Sequence, residues 1–397
     1  MFNFAERTAE KQIALYNLAS YFLPIADDVS NNNWQTSQIG HNIAKHTTEN
    51  FPEAGNIKIA FFTTGECEGT ANKTSDFTRL REELYRLHFE DLPQLADLGN
   101  LQLMPTKKEA FKQIEKVCAT LLENNIMPLI IGGGHDISYA IYKAYASIEK
   151  IITFTAVDCS FDLGAEQDKI NSHSYLSKMI SYQPNHLFNF CNIGYQSYFE
   201  SPAAIQMLDD IHFDSYRLGF VKANLFEVEP IMRNTDFVSF DLSSVSSGFS
   251  AANAYATPNG FNGAESCSIM RYAGLSDKLT SCGIFEYNEQ LDSANQTSKL
   301  IAQMLWYFLE GFKQRKNELN PNLKACTKYT VTFDDGVNEV VFYKSNKTGR
   351  WWIGVPFSAS DKEKTDNYFV ACSYRDYEQS NQGEPPERWI KTFQKLN

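Results

Sequence analysis

A chain of 397 residues, 43% hydrophobic and 21% charged, holds enough apolar material for a large core, which excludes a disordered or fibrous protein. Its formal net charge of -12, with no lysine/arginine stripe and no basic tail, argues against direct nucleic-acid binding. No apolar run approaches the ~18 residues of a membrane span, the start MFNFAERTAEKQ lacks a basic-then-apolar leader, and the scattered cysteines form no CxxC, so a reduced, cytoplasmic setting is expected.

Residues 57–63 (IKIAFFT) read as a strand, and SDFTRLREELYRL as a helix with Leu80, Leu84 and Leu87 on one face. The next helix, 107–124, opens on a capping box of Thr106 and Glu109 and carries the stripe Phe111, Ile114, Val117, Cys118, Leu121 and Leu122. MPLIIGGG is a buried strand running into a glycine turn, ISYAIYKAYASI a helix and IITFTAV a strand. LFNFCNIGY, TDFVSFDL and SCGIFEYN are further strands, and a helix near 298–316 closes the body. This alternation predicts a three-layer α/β/α sandwich with a mostly parallel sheet over 1–320.

The pattern changes after Asn320-Pro321-Asn322. KYTVTFDDGVNEVVFYKSNKTGRWWIGVPF reads as three strands turning at Asp335-Gly336 and at Lys347-Thr348-Gly349. A fourth, YFVACSY, leads through a polar loop with Pro385-Pro386 to a short helix at ERWIKTFQKL. Residues 321–397 are therefore expected to form a small antiparallel β-rich appendage. Phe333, Val341, Phe342, Trp351, Ile353 and Phe369 are too apolar to leave it floating.

In open α/β sheets, sites lie beyond the carboxyl ends of the strands. Three buried runs stop at polar groups there: PLIIGGG at His135-Asp136, FTAV at Asp158 to Asp162, and FVSF at Asp241 to Ser243. In extended chain Asp158, Ser160 and Asp162 share a face, Asp241 and Ser243 share another, and Cys159 points away from Asp158. Three carboxylates and an imidazole in one crevice strand charge unless something positive sits among them, and an oxygen-rich set with one imidazole suits manganese. Taken singly, each Asp reads as a turn residue or helix cap, and His135 as a satisfied core histidine; the joint pattern on successive strand ends favours ligands. His173, in NSHSYL, reads as a helix-starting or surface histidine.

GGGHDISY resembles the ureohydrolase Gly-Gly-x-His signature in its formimidoylglutamase form. VDCSFDL resembles Asp-Ala-His-x-Asp, and SFDLSSVSS resembles Ser-x-Asp-x-Asp-x-x-Asp-Pro. DLGN at 97–100 and GIFEYNEQLD at 283–292 are secondary matches. On these motifs the chain resembles the ureohydrolase superfamily, the arginase, agmatinase and formimidoylglutamase group. The resemblance is collinear over about 57–316 and leaves 1–55 and the residues after 320 poorly matched.

That resemblance implies a binuclear manganese centre whose bridging hydroxide attacks a guanidino or formimino carbon. It places His135, Asp158, Asp162 and Asp241 as ligands of one metal, all present. Ser160 and Ser243 stand where the other metal takes its histidine and aspartate, and Ser246 and Ser247 replace the third motif's last Asp and Pro. Glu286 falls at the family's substrate-contacting glutamate, where it either pairs with a cationic amidine fork or is a buried acid bonded to a loop. Glu289 replaces a proline nearby.

The expectation is one manganese or other divalent cation per chain, or none. The corresponding activity is hydrolysis of a linear amidine or guanidino C–N bond, low toward the family's ordinary substrates. The alternative is a pseudoenzyme that binds, regulates or scaffolds a protein partner through its retained fold and appendage. Trp351, Trp352 and Trp389 either form that partner surface or pack the appendage onto the body. Self-association is left open.

Overall fold

Short apolar runs build a ten-stranded sheet: β1 (Phe22–Leu23), β2 (Ala44–Lys45), β3 (Ile59–Thr63), β4 (Leu95–Leu101), β5 (Met127–Ile131), β6 (Ile152–Val157), β7 (Leu187–Tyr195), β8 (Asp214–Arg217), β9 (Phe237–Asp241) and β10 (Ser281–Phe285). This computed structural model describes residues 15–53, 55, 57–73, 75–164, 169–333, 339–357 and 366–397. The strand order is β1-β4-β3-β5-β10-β9-β6-β7-β8, with β2 also on β4. Every pairing is parallel except β1 with β4.

All residues of β3, β5, β6, β9 and β10 are buried, as strands covered on both faces must be. Alternate residues feed opposite cores. Ile59 and Phe61 join one cluster with the helices Thr78–Arg86, Gly263–Leu275 and Gln296–Lys313. Ala60 and Phe62 join the other, with Lys107–Glu123, Ile137–Ser147 and Tyr175–Ile180. The result is the expected three-layer α/β/α sandwich. Thr106 caps its helix, accepting from the Glu109 N–H at 3.3 Å.

A separate antiparallel sheet follows: β11 (Cys326–Thr332), β12 (Glu339–Ser345), β13 (Trp351–Phe357) and β14 (Asp366–Cys372), paired in that order. The predicted Asp335-Gly336 turn lies outside the described residues. The stretch expected as a polar loop contains instead a helix, Tyr374–Asn381. Ser373 and Asp376 form its capping box, and Tyr374 and Tyr377 pack on Trp351, so local capping plus an aromatic face outweighs the polar composition. The last helix is Glu387–Leu396.

This sheet is held to the main body by polar contacts. Arg233 donates to the carbonyls of Trp351 (3.2 Å) and Cys372 (2.9 Å) and lies over the Trp352 ring. Asn234 exchanges two bonds with Ala371, and Arg350 pairs with Asp277 at 3.0 Å. Trp351 and Trp352 are buried and Trp389 packs against the same cluster, so all three pack internally and do not form an exposed partner surface. Among the described residues no helix is long and apolar enough to cross a membrane.

Candidate metal centre

Strands β5, β10, β9 and β6 are neighbours in the sheet, so residues far apart in sequence emerge side by side at their carboxyl ends. After β5, Gly132 (φ 96°) and Gly133 (φ 71°) turn the chain sharply. A Cβ at Gly133 would lie 2.4 Å from the Glu66 carbonyl oxygen, so only glycine fits. The turn delivers His135 just before the helix Ile137–Ser147. Asp158 follows β6, Asp241 ends β9, and Glu286 follows β10.

His135 Nδ1 lies 3.0 Å from Asp158 Oδ2, 3.1 Å from Asp162 Oδ2 and 3.1 Å from Asp241 Oδ2. The four donor atoms all fall within 4.8 Å of one another, and all four residues are buried. One ring N–H can serve only one of three oxygens, and its direction suits Asp162. Asp158 Oδ2, though close to the ring, is left without a hydrogen-bond partner among the described residues. On its far side His135 Nε2 meets Ser239 Oγ at 2.6 Å and the Tyr175 hydroxyl at 3.2 Å, which fixes the ring.

The protonation of the cluster reflects crowded charge. Burial, and after it the neighbouring Asp162 and Asp241, pushes the Asp158 carboxyl well above the ordinary range. Burial also opposes ionisation of Asp162, but hydrogen bonds from His135 and His173 outweigh it and hold that carboxyl low. Burial works against a charged His135, yet the three carboxylates raise it well above its usual value. Three acids thus converge on one proton-bearing ring. An inward-facing set of one imidazole and three carboxylates, with one oxygen orphaned, is donor chemistry that suits a divalent cation.

The second position differs. Ser160 Oγ is 3.0 Å from Asp162 Oδ1, and Ser243 Oγ is 3.3 Å from Cys159 Sγ. Cys159 was expected to point away from Asp158. The chain bends at Cys159 and Ser160, however, and Cys159 meets Ser243. His173 likewise turns inward, with Nδ1 3.3 Å from Asp162 Oδ1 and its ring edge-on to Tyr255. Both residues line an open pocket of about 530 Å³ beside the cluster, with Ser160, Phe199 and Glu200. The sequence around His173 (NSHSYL) held no signal beyond the histidine itself.

Glu286 sits at φ 64° and is wholly buried. Its Oε1 accepts from the His135 N–H (2.7 Å) and the Ser172 hydroxyl, and its Oε2 from the Thr70 hydroxyl (2.5 Å) and the Asn72 amide (2.5 Å). Of the two arrangements open to it, the structure shows the buried acid bonded to neighbouring loops.

The arginase family model matches residues 69–310 of this chain. Formimidoylglutamase from Staphylococcus aureus (strain JH9) is 26% identical over 230 residues, covering 54% of this chain and 72% of that relative. Among solved structures, formiminoglutamase from Trypanosoma cruzi with Mn2+ superposes with a TM-score of 0.60 at 19% identity, over 66% of this chain and 95% of that one. Formimidoylglutamase from Bacillus subtilis gives 0.60 at 18%, over 67% and 91%. The structural likenesses share the fold, and the family match spans more than half of the sequence, from the loop bearing Thr70 to the helix Gln296–Lys313. The chain belongs to the arginase family.

Proposed function

We propose that this chain holds one divalent cation on His135, Asp158, Asp162 and Asp241, and hydrolyses the C–N bond of a linear amidine or guanidino compound. Its activity toward arginine or agmatine is very low on this reading. The observation that carries it is the convergence of four buried donors within 4.8 Å, with Asp158 Oδ2 left without a hydrogen bond among the described residues. The manganese in the Trypanosoma cruzi structure supports that choice of ion. The chemistry such a cation supplies is a lowered pKa for water and stabilisation of developing negative charge.

The chain's own groups then have distinct tasks. Ser239 and Tyr175 hold His135 by Nε2, so that Nδ1 faces the carboxylates. Asp162 bridges the cluster to His173. His173 lines the pocket with its Nδ1 committed to Asp162, which leaves Nε2 to carry a proton to or from a bound molecule. Phe199 and Leu163 wall the same pocket and thin its water. We assign Glu286 as a brace for the loops at Thr70, His135 and Ser172, since both its oxygens are already occupied.

A second reading, a non-catalytic binding or scaffold protein, draws on the other half of the crevice. There Cys159 and Ser243 contact each other and no second ligand set assembles among the described residues. Eight scattered cysteines with no CxxC support a cytoplasmic placement. Dialysis into manganese followed by elemental analysis, with ammonia, formamide and urea release measured across amidines and guanidines, separates the readings. One ion with release from some substrate supports the hydrolase. One ion without release across the panel moves the assignment to the scaffold. Two ions per chain with ordinary urea release overturn both.

A further inference from the structure

The amino-terminal ends of β6, β7 and β8, opposite the cation cluster, form one wall of a crevice whose other wall is the last helix, Glu387–Leu396, with β14. Its charged lining is Arg388, Lys391 and Lys395 from that helix, against Asp214 from β8. The spacing 388, 391, 395 puts the three cations on one helix face.

Two of these cations are already paired. Arg388 bonds Asp376 at 3.1 Å and lies 3.6 Å from Glu227. Lys391 bonds Glu387 at 2.9 Å and the Phe213 carbonyl at 2.8 Å, and lies 3.3 Å from Asp209. Lys395 differs. Its ammonium donates to Asn189 Oδ1, a neutral acceptor, and forms no ion pair among the described residues. It lies between the Phe188 and Phe213 rings, 5.9 and 5.4 Å from their centres. Burial outweighs the opposing charge of Asp214 and depresses its pKa to about 8. Tyr216, in the same lining, has a hydroxyl with no hydrogen-bond partner among the described residues.

A cation without a direct ion pair, sharing a partly dehydrated lining with an unbonded hydroxyl, is a seat for an oxyanion. Size and charge narrow the choice. The crevice has about 50 Å³ of room for water-sized groups, on the order of four water positions, which is the bulk of acetate. Asp214 repels a doubly charged phosphate more than a singly charged carboxylate. Phe188 and Tyr368 offer an apolar wall to a short tail.

We propose that this crevice binds a short monocarboxylate on the Lys395 ammonium and the Tyr216 hydroxyl, and that occupancy clamps the last helix against the sheet. The site is independent of the metal centre and of the catalytic reading. The test uses the full chain with sodium acetate, with acetamide as neutral isostere and sodium chloride at matched ionic strength. Acetate raises the melting temperature saturably and slows amide exchange over 389–396, while the two controls do neither. Lys395→Gln weakens acetate binding by at least about tenfold and leaves metal content unchanged. Should that variant unfold the helix, Tyr216→Phe, which keeps the shape, gives the same readout. No saturable response, or an equal one in Lys395→Gln, overturns the site. Phosphate binding through Lys395 more tightly than acetate overturns the monocarboxylate assignment.

Discussion

The two halves of the strand-end crevice are built from the same loops and have opposite contents. In one half, four buried donors face a common centre. In the other, Ser160 and Ser243 stand where the family resemblance implies ligands, with Cys159 against Ser243 and His173 turned onto Asp162. The loops keep their shape without the missing side chains because the aspartates themselves accept from the loop N–H groups. The Ser160 N–H donates to Asp158 Oδ1 at 3.0 Å and the Ser243 N–H to Asp241 Oδ1 at 2.6 Å. An aspartate that binds its own loop supports the turn whatever side chain sits two residues on. Ligands can therefore be lost from one half while the other stays assembled.

The strongest way to break the comparison is to disable the intact half. Asp158→Asn removes a carboxylate proposed as a direct ligand, and on that proposal cation affinity by calorimetric titration falls on the order of a thousandfold, beyond the effect of losing a supporting partner. Because the Asp158 carboxyl is already pushed up toward its neutral form, the metal-free melting temperature changes little. A large loss of stability would mean that this half is a structural polar core and not a cation site.

Glu286→Ala leaves donors from His135, Ser172, Thr70 and Asn72 without their acceptor. Unfolding in urea is expected to show a loss of about 3 kcal/mol or more. Unchanged stability with a raised KM would return Glu286 to the substrate-contacting role.

Rebuilding the empty half comes next. On the proposed one-cation reading, Ser160→His with Ser243→Asp raises the manganese count toward two per chain, provided the bonds from the loop N–H groups to Asp158 and Asp241 preserve the turn. A count that stays at one shows that the bend putting Cys159 against Ser243 has moved the second position out of reach.

The smallest effect lies in the segment after Glu286. Burial, with Asp76 beside it, raises the Glu289 carboxyl to about 7, while it accepts from the N–H groups of Phe77 (3.0 Å) and Arg79 (3.1 Å). The folded chain thus binds this proton more tightly than the unfolded one, whose carboxyl titrates near 4.5. Its contribution to stability is complete below 4.5 and is lost as pH rises through about 7. The melting temperature should decline across that window, and Glu289→Gln should flatten the slope. An identical slope in the variant assigns the decline to other groups.

Much of the fold could be read from residue order. The runs at 57–63, 127–131, 152–157 and 237–241 contain strands and are legible because apolar residues dominate them, and Thr106 with Glu109 marks a helix start by local bonds alone. Less visible were β4, where Asp97 interrupts the run, and β8, a short strand of intermediate burial. Asp97 is tolerated inside the sheet because Arg81 and Tyr85 each reach it at 2.8 Å, a pairing between separate elements.

By itself the sequence determined the element types, the two-sheet division and the four strand-end groups His135, Asp158, Asp162 and Asp241, since each depends on neighbours within a few positions. The tertiary structure alone decided how these groups meet. Sheet order sets β5, β10, β9 and β6 side by side, the bend at 159–160 puts Cys159 against Ser243, and the turn at 171–174 brings in His173. It also saturates Glu286 with Thr70 and Asn72, more than two hundred residues away. Such contacts have no periodicity or local propensity to announce them, because they arise only when separate strands stop at the same edge.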